Sequence, residues 1–263
     1  MIDTRSLVDR LHTLESVAII PRVSSTNLVA RRIVHECIDN ELSLPQAIIV
    51  AREQLAGRGR NERTWSSPAG KGIYATALLM RATRELPLLP LEIAVTVASY
   101  LHDVFGIDAR VKWPNDVYAA GKKIAGILIE ARIQEERAYL SIGIGVNVEP
   151  VADESRPNSV SIRQLTARDF RGLDEATVAF IEHFDERLSR PVDRDSIIAE
   201  WRKLSIHNPG DRLTCVLPER TISGTWIGIA EDGRALVRRG EETLAISAGD
   251  IIVEPPNKAA SNE

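Results

Sequence analysis

The stretch KKIAGILIEARIQEERAYLSIGIGVNV, Lys122 to Val148, decides the architecture. Its two halves are rich in isoleucine, leucine and valine, and the polar run Gln134-Glu135-Glu136-Arg137 between them is short enough for a β-hairpin. Gly143 and Gly145 interrupt the second half. A glycine weakens a strand but leaves room for something flat to lie on it. Taken alone, such glycines are equally bulges, and a lysine such as Lys123 at the head of an apolar strand is equally a surface residue with its stem laid along the sheet.

Upstream of the hairpin, VKWPNDVY reads as a turn fixed by Pro114. LPLEIAVTVASYLHDVFG before it reads as a long apolar helix that Gly106 ends. IYATALLM, from Ile73, and QAIIVA, from Gln46, are short apolar strands. Ser25 and Thr26 suit a helix N-cap, and Ala30, Ile33, Val34 and Cys37 recur at helical spacing, so a helix is predicted from about Asn27 to Asp39. Downstream, helices are expected over Glu175–Leu188 and Asp195–Leu204. Beyond Pro209 the texture changes to short β runs punctuated by Gly, Asp and Pro, which predicts a small antiparallel barrel. The sequence therefore predicts an α+β domain over 1–206 with a mainly antiparallel sheet and flanking helices, a barrel over 207–255, and a polar tail over 256–263, fraying beyond Val253.

Composition bounds the function. The 263 residues are 44% apolar and 27% charged, with a net charge of −4, so there is no global attraction to nucleic acid or to an anionic membrane. The amino terminus has no basic segment followed by an apolar one, and no stretch is read as a membrane span, which predicts a cytoplasmic protein. Cys37 and Cys215 lie far apart in apolar segments and read as small core residues.

Against that acidic background, AGRGRNERTWSSPAGKGIY (Ala56–Tyr74) concentrates three arginines, a lysine and four glycines. Glycines let backbone approach a ligand, and arginines offer planar forks for carboxylate or phosphate. Composition alone leaves two readings open, an anion-binding loop and a solvated surface loop. The loop lacks the Gly-Lys-Ser/Thr ending of a P-loop. A second polar, largely cationic cluster, Lys112, Asn115, Asp116, Lys122 and Lys123, stands at the mouth of the hairpin.

The motifs SSTN (Ser24–Asn27), GRGRNERTWSSPAGKGIY, KWPNDVYAAGKKIAGILIE, GIGVNV and SAGDII occur in the order found in biotin protein ligases, and the chain resembles that family over nearly its whole length. The resemblance implies a catalytic domain of the class II aminoacyl-tRNA synthetase-like (biotin ligase) fold, followed by an SH3-like barrel. It implies ATP-dependent formation of biotinyl-5′-AMP and pyrophosphate, then transfer of biotin to a lysine of a biotin carboxyl carrier protein or domain of acetyl-CoA carboxylase. Biotin and ATP would be the substrates and Mg²⁺ the metal.

By the same resemblance Lys123, Arg58 and Arg60 are the catalytic cations. Ser25, Thr26, Asn27, Gln54, Gly57 and Gly59 join them around biotin, whose bicyclic ring is expected to lie on the strand glycines. Arg60, Trp65, Lys112, Asn115 and Asn147 would hold ATP, and Asp116 the Mg²⁺. The chemistry is consistent with this set, because a carboxylate and a triphosphate repel each other and must be brought together among cations. The arginine loop, having no apolar anchors, is expected to order on ligand. Glu62 departs from the family's small residue and puts an acid among the arginines.

A lipoate or octanoate ligase is the competing enzyme. A biotin-responsive regulator is the competing class, although only 24 residues precede Ser25, which is short for a winged helix, so no DNA contact is expected. Homodimers recur in the family and are a fold-level expectation only.

Overall fold

A computed structural model describes residues 2–151, 158–217 and 219–253, so the tail expected to fray beyond Val253 lies outside the described residues. The amino-terminal part runs α1 (Thr4–Val8), β1 (Ser16–Ile20), α2 (Thr26–Asp39), β2 (Ala47–Ala51), β3 (Gly72–Ala82), a 3₁₀ turn (Thr83–Leu88) and α3 (Leu89–Phe105). It continues through β4 (Ala109–Lys112), β5 (Asp116–Ala119), β6 (Lys122–Gln134), β7 (Arg137–Asn147), α4 (Ile162–Leu165), α5 (Leu173–Leu188) and α6 (Arg194–Leu204). The carboxy-terminal part is all β: β8 (Arg212–Val216), β9 (Thr221–Ile229), β10 (Ala235–Arg239), β11 (Glu242–Ile246) and β12 (Asp250–Val253).

The expected hairpin is the centre of a seven-stranded sheet ordered β1-β2-β3-β7-β6-β5-β4. Every neighbouring pair is antiparallel except β1 with β2, which is parallel. Gln134 pairs with Arg137, so the polar connection tightens to two residues, with Glu135 in the left-handed region at φ 51°. The second sheet is antiparallel, ordered β11-β10-β9-β8-β12, as expected for the carboxy-terminal region. Among the described residues no ladder joins β11 to β12 to close it.

Strand alternation divides the large sheet into two unlike faces. Ile48 and Val50 of β2, Ala75 and Ala77 of β3, Ile127 of β6, and Leu140, Ile142 and Ile144 of β7 point to one side and join a continuous apolar core with α3, α5 and α6. On the opposite side the helix that packs on the sheet, among the described residues, is α2, through a smaller cluster of Ala30, Val34, Cys37, Leu44, Ala47, Ile49 and Leu78. Cys37 and Cys215 are buried and unpaired, as expected of core residues.

Helix α3 with its preceding turn, Thr83–Phe105, is long and apolar enough to cross a membrane by length and composition, which corrects the expectation that no stretch would qualify. Its apolar character is accounted for by burial: it packs on α5, α6 and β4, and Gly106 caps it in the left-handed conformation at φ 66°.

The two sheets share one core. The Trp113 amide donates to His207 Nε2 (3.2 Å) and the Trp113 indole to the Gly233 carbonyl (3.0 Å), while the His207 and Trp226 rings lie 4.7 Å apart. Val111, at the end of the large sheet, accepts from the Ile206 amide. This seam brings the amino end of β12 against the arginine loop.

Candidate active site

Past the amino end of α2, the second face of the sheet is not covered by a helix. A cavity of about 140 Å³ opens there. Its floor is strand backbone at Gly126, Gly143 and Gly145, and its wall is the arginine loop. The two ends of the cavity differ in chemistry.

One end is neutral and hydrogen-bonding. The Gln54 side-chain oxygen accepts from the Thr26 amide (2.8 Å) and hydroxyl (3.1 Å), and its nitrogen donates to the Ser67 hydroxyl (2.8 Å). The Thr76 hydroxyl lies 2.7 Å from that of Thr26 and 2.8 Å from Asn27 Oδ1. Thr26, Asn27, Ser67 and Thr76 are all buried. Ser25 is the N-cap residue of α2 by backbone, but its hydroxyl makes no capping bond. Gln54, reaching across from the following loop, satisfies the first helical amide instead, so the expectation of a side-chain cap at Ser25 or Thr26 is corrected.

The other end is charged. Lys123 Nζ lies 2.7 Å from Asp116 Oδ1, and 5.4 Å from the centre of the Trp65 ring. Arg60 donates to Asn115 Oδ1 (2.9 Å) and to the Gly249 carbonyl of the second sheet (3.4 Å). Arg63 pairs with Asp250 (2.7 Å), and Arg58 faces Glu130 at 3.8 Å. Each cation here is held near an acid or a carbonyl oxygen, within reach of an incoming anion. Lys122, its neighbour in sequence, is exposed.

The loop itself folds back as a hairpin. Its amides at Gly59 and Trp65 donate to Arg63 and Gly57 carbonyls, and Arg63 donates to the Arg60 carbonyl at 3.1 Å. Asn61 and Glu62 both sit at positive φ, 52° and 58°, which makes Arg60–Arg63 a type I′ turn. A Cβ on Gly57 would stand 2.2 Å from the Trp65 carbonyl, so that position requires glycine. Glu62 is exposed and makes no ion pair among the described residues. Its departure from the expected pattern is therefore one of backbone conformation and not of charge among the arginines.

Trp65 lies on the strand glycines expected to carry the biotin ring. Its ring lies over Gly126 and Gly145, where a Cβ would come within 3.0 and 2.5 Å of it, and Asn27 fills the space over Gly143. The glycine platform is covered by these two side chains.

Two predicted nucleotide residues stand outside the cavity. The Asn147 amide donates to the carbonyls of Val160 (3.0 Å) and Lys123 (3.4 Å), tying β7 to the segment that follows it. Lys112 lines a neighbouring groove with Tyr118, and burial lowers its pKa despite the nearby carboxylates of Asp116 and Asp250.

Residues 19–147 match the Biotin/lipoate A/B protein ligase family, and residues 214–253 match the Biotin protein ligase C terminal domain. The bifunctional ligase/repressor BirA of Escherichia coli is 37% identical over 259 residues, covering 92% of this chain and 75% of that protein.

The chain belongs to the biotin protein ligase family.

A biotin--[acetyl-CoA-carboxylase] ligase of Mycobacterium tuberculosis is 27% identical over 95% of both chains. Among solved structures, the biotin protein ligase from Aquifex aeolicus in complex with biotin and ATP superposes with a TM-score of 0.72 at 26% identity, covering 90% of this chain and 98% of that one. Against this family background, Ser25, Thr26, Asn27, Gln54, Arg58, Gly59, Arg60, Trp65, Asn115, Asp116 and Lys123 all line the one cavity. Sequence reasoning missed Thr76, Glu130 and Asp250. Thr76 carried a signal, being the one aliphatic hydroxyl side chain inside IYATALLM. Glu130 carried a weaker one, a charge within an apolar strand, whereas Asp250 reaches the loop only through the packing of the two sheets.

Proposed function

We infer that this chain is an ATP-dependent biotin protein ligase that forms biotinyl-5′-AMP and pyrophosphate and then transfers biotin to a lysine of a carrier protein. The observation that carries this reading is the two-ended cavity. A neutral, polar ureido ring suits the Thr26, Asn27, Gln54 and Thr76 end, and a carboxylate suits the end that holds Lys123 and the loop arginines.

In the first step a biotin carboxylate oxygen attacks the α-phosphorus of ATP, and the bond to the β-phosphate oxygen breaks to release pyrophosphate. We propose that Lys123 stabilises the charge that develops on the α-phosphoryl oxygens, because its compact ammonium can turn from Asp116 towards the phosphate. Arg58 and Arg60 are assigned to the carboxylate tail and the phosphate, and Trp65 to the nucleotide face. In the second step the acceptor amine attacks the acyl carbon and AMP leaves. A hairpin loop over the mixed anhydride would exclude water until the acceptor arrives.

Among the described residues no group of three or more His, Cys, Asp or Glu forms a metal cage. That donor set fits Mg²⁺ arriving with the triphosphate, where one carboxylate and phosphate oxygens suffice, and Asp116 is the residue assigned to hold it. The ion would neutralise phosphate charge. The acceptor is proposed to be the biotin carboxyl carrier domain of acetyl-CoA carboxylase, met in the cytoplasm. We further propose that residues 1–206 form the catalytic unit, with 207–255 as a second unit packed on it and bearing on the loop.

The test is exchange of labelled pyrophosphate into ATP, run with biotin beside lipoate and octanoate, followed by labelling of a carrier domain. Exchange with biotin alone, and labelling of a single carrier lysine, is expected. Exchange driven by lipoate or octanoate and not by biotin would reverse the reading.

A further inference from the structure

Glu130 stands behind the cavity lining and touches a residue of each part of it, Asn27 of the neutral end and Arg58 of the loop. It lies on β6, and one carboxylate oxygen accepts from the Asn27 side-chain amide at 2.9 Å. The other is 3.8 Å from Arg58 Nη1 and 4.0 Å from Arg31 Nη1. Its side chain is 28% exposed, so it is neither a free surface acid nor a core residue. The Asn27 amide nitrogen also donates to the Leu128 carbonyl (3.3 Å), which leaves Oδ1 directed at Thr76. One carboxylate thus orients a buried amide of the neutral end and also attracts an arginine of the loop.

The Arg58 contact is too long to be a hydrogen bond, so the guanidinium is attracted without its donors being taken up. A second carboxylate entering the cavity would compete with Glu130 for the same cation and would also be repelled by it. We propose that Glu130 is a positioning residue that holds Arg58 at the cavity mouth as a surrogate for the substrate carboxylate and gives it up when that carboxylate binds. This rests on the biotin ligase reading given above. The surrogate costs affinity for the anionic tail, and in return the ligand-free arginine is kept beside the site where it is needed.

The consequence is specific to charge. Glu130→Gln keeps an oxygen for the Asn27 amide but removes the attraction for Arg58. Binding of biotin and of uncharged biotin methyl ester is measured by calorimetry at low and high salt. Biotin affinity should rise roughly threefold to fivefold in the variant at low salt, as expected for a partly exposed ion pair. The gain should shrink as salt rises. Affinity for the ester should stay within about twofold of wild type by the same charge argument, and the gain should vanish in an Arg58→Gln background. An unchanged biotin affinity at low salt overturns the proposal. So does an equal change for acid and ester, which would mean that Glu130 acts only through Asn27. Wild-type protein that binds neither ligand would overturn the ligase reading itself, and the proposal with it.

Discussion

The two faces of the large sheet are built from the same strands and differ in almost every other respect. On the side of α3, α5 and α6, alternate residues are isoleucine, leucine, valine and alanine, most of them less than 5% exposed, and they merge with the core of the second sheet through Trp201 and Trp226. On the side of α2, the same strands present Thr76, Gly126, Gly143 and Gly145, and the cover is a hairpin of arginines held by hydrogen bonds and ion pairs. The first face gains its free energy from apolar area removed from water, and the second gives up such area to keep polar groups within reach of a ligand. Stability and chemistry are thereby assigned to opposite sides of one sheet, and substitutions should separate them.

The largest separation is expected at Lys123. Lys123→Met should lower biotin-dependent pyrophosphate exchange by two to three orders of magnitude, a loss of roughly 3 kcal/mol or more in transition-state stabilisation. Thermal unfolding should move little, because the ion pair with Asp116 is part-exposed. Lys122→Met, one residue away and pointing to solvent, should leave exchange within about twofold of wild type, as surface substitutions generally do. Equal losses at both positions would end the distinction between the faces.

The packed side should instead respond to pH. Burial, followed by the nearby Lys112 ammonium, lowers the pKa of His207 to about 4. Its Nε2 accepts from Trp113, which requires the neutral ring. An unfolded histidine titrates near 6.5, so the unfolded state takes up the proton first. The contribution of His207 is therefore complete above about pH 6.5 and is lost as pH falls towards 4, by about 3 kcal/mol in all. Urea unfolding between pH 7 and 4 should show this slope, and His207→Gln should be flatter over the same window. Parallel slopes for the two proteins would show that the seam tolerates a charged ring.

The smallest effect is expected in the loop, at Glu62. A non-glycine residue at positive φ costs on the order of 1 kcal/mol, so Glu62→Gly should tighten the type I′ turn. Trypsin should then cut more slowly at Arg60 and Arg63 in ligand-free protein, at any salt concentration. Glu62→Gln keeps the Cβ and should match wild type. A slower rate for Gln, at low salt only, would restore a charge-based account of this position.

How much of this was legible in the sequence follows the same division. The β6–β7 hairpin, α3 with its Gly106 cap, and the shift to short strands after Pro209 are written in local periodicity and turn residues. Strand β1, which pairs in parallel at the sheet edge, has no such mark and was not anticipated. In the site, most of the motif residues line one cavity, because they lie on or beside one face of one sheet, whereas Lys112 and Asn147 stand outside it. The roles of Gln54 as helix cap, Asn147 as a tie between segments and Asp250 as partner to Arg63 depend on contacts between distant elements, which spacing does not encode. The left-handed backbone at Glu62 is the inverse case: a residue that reads as a charge problem is a dihedral one.

The position of Trp65 has an optical consequence. Of the four tryptophans in the chain, Trp113, Trp201 and Trp226 are at most 2% exposed, at or beside the seam between the sheets, remote in role from any ligand. Trp65 alone lies in the cavity, its ring over two strand glycines with an ammonium 5.4 Å from its centre. A molecule that settles on those glycines must move the indole, and one that draws Lys123 away changes the field across it. The ligand-dependent part of the intrinsic fluorescence therefore comes from a single chromophore, and the filling of the cavity can be followed in real time without a label.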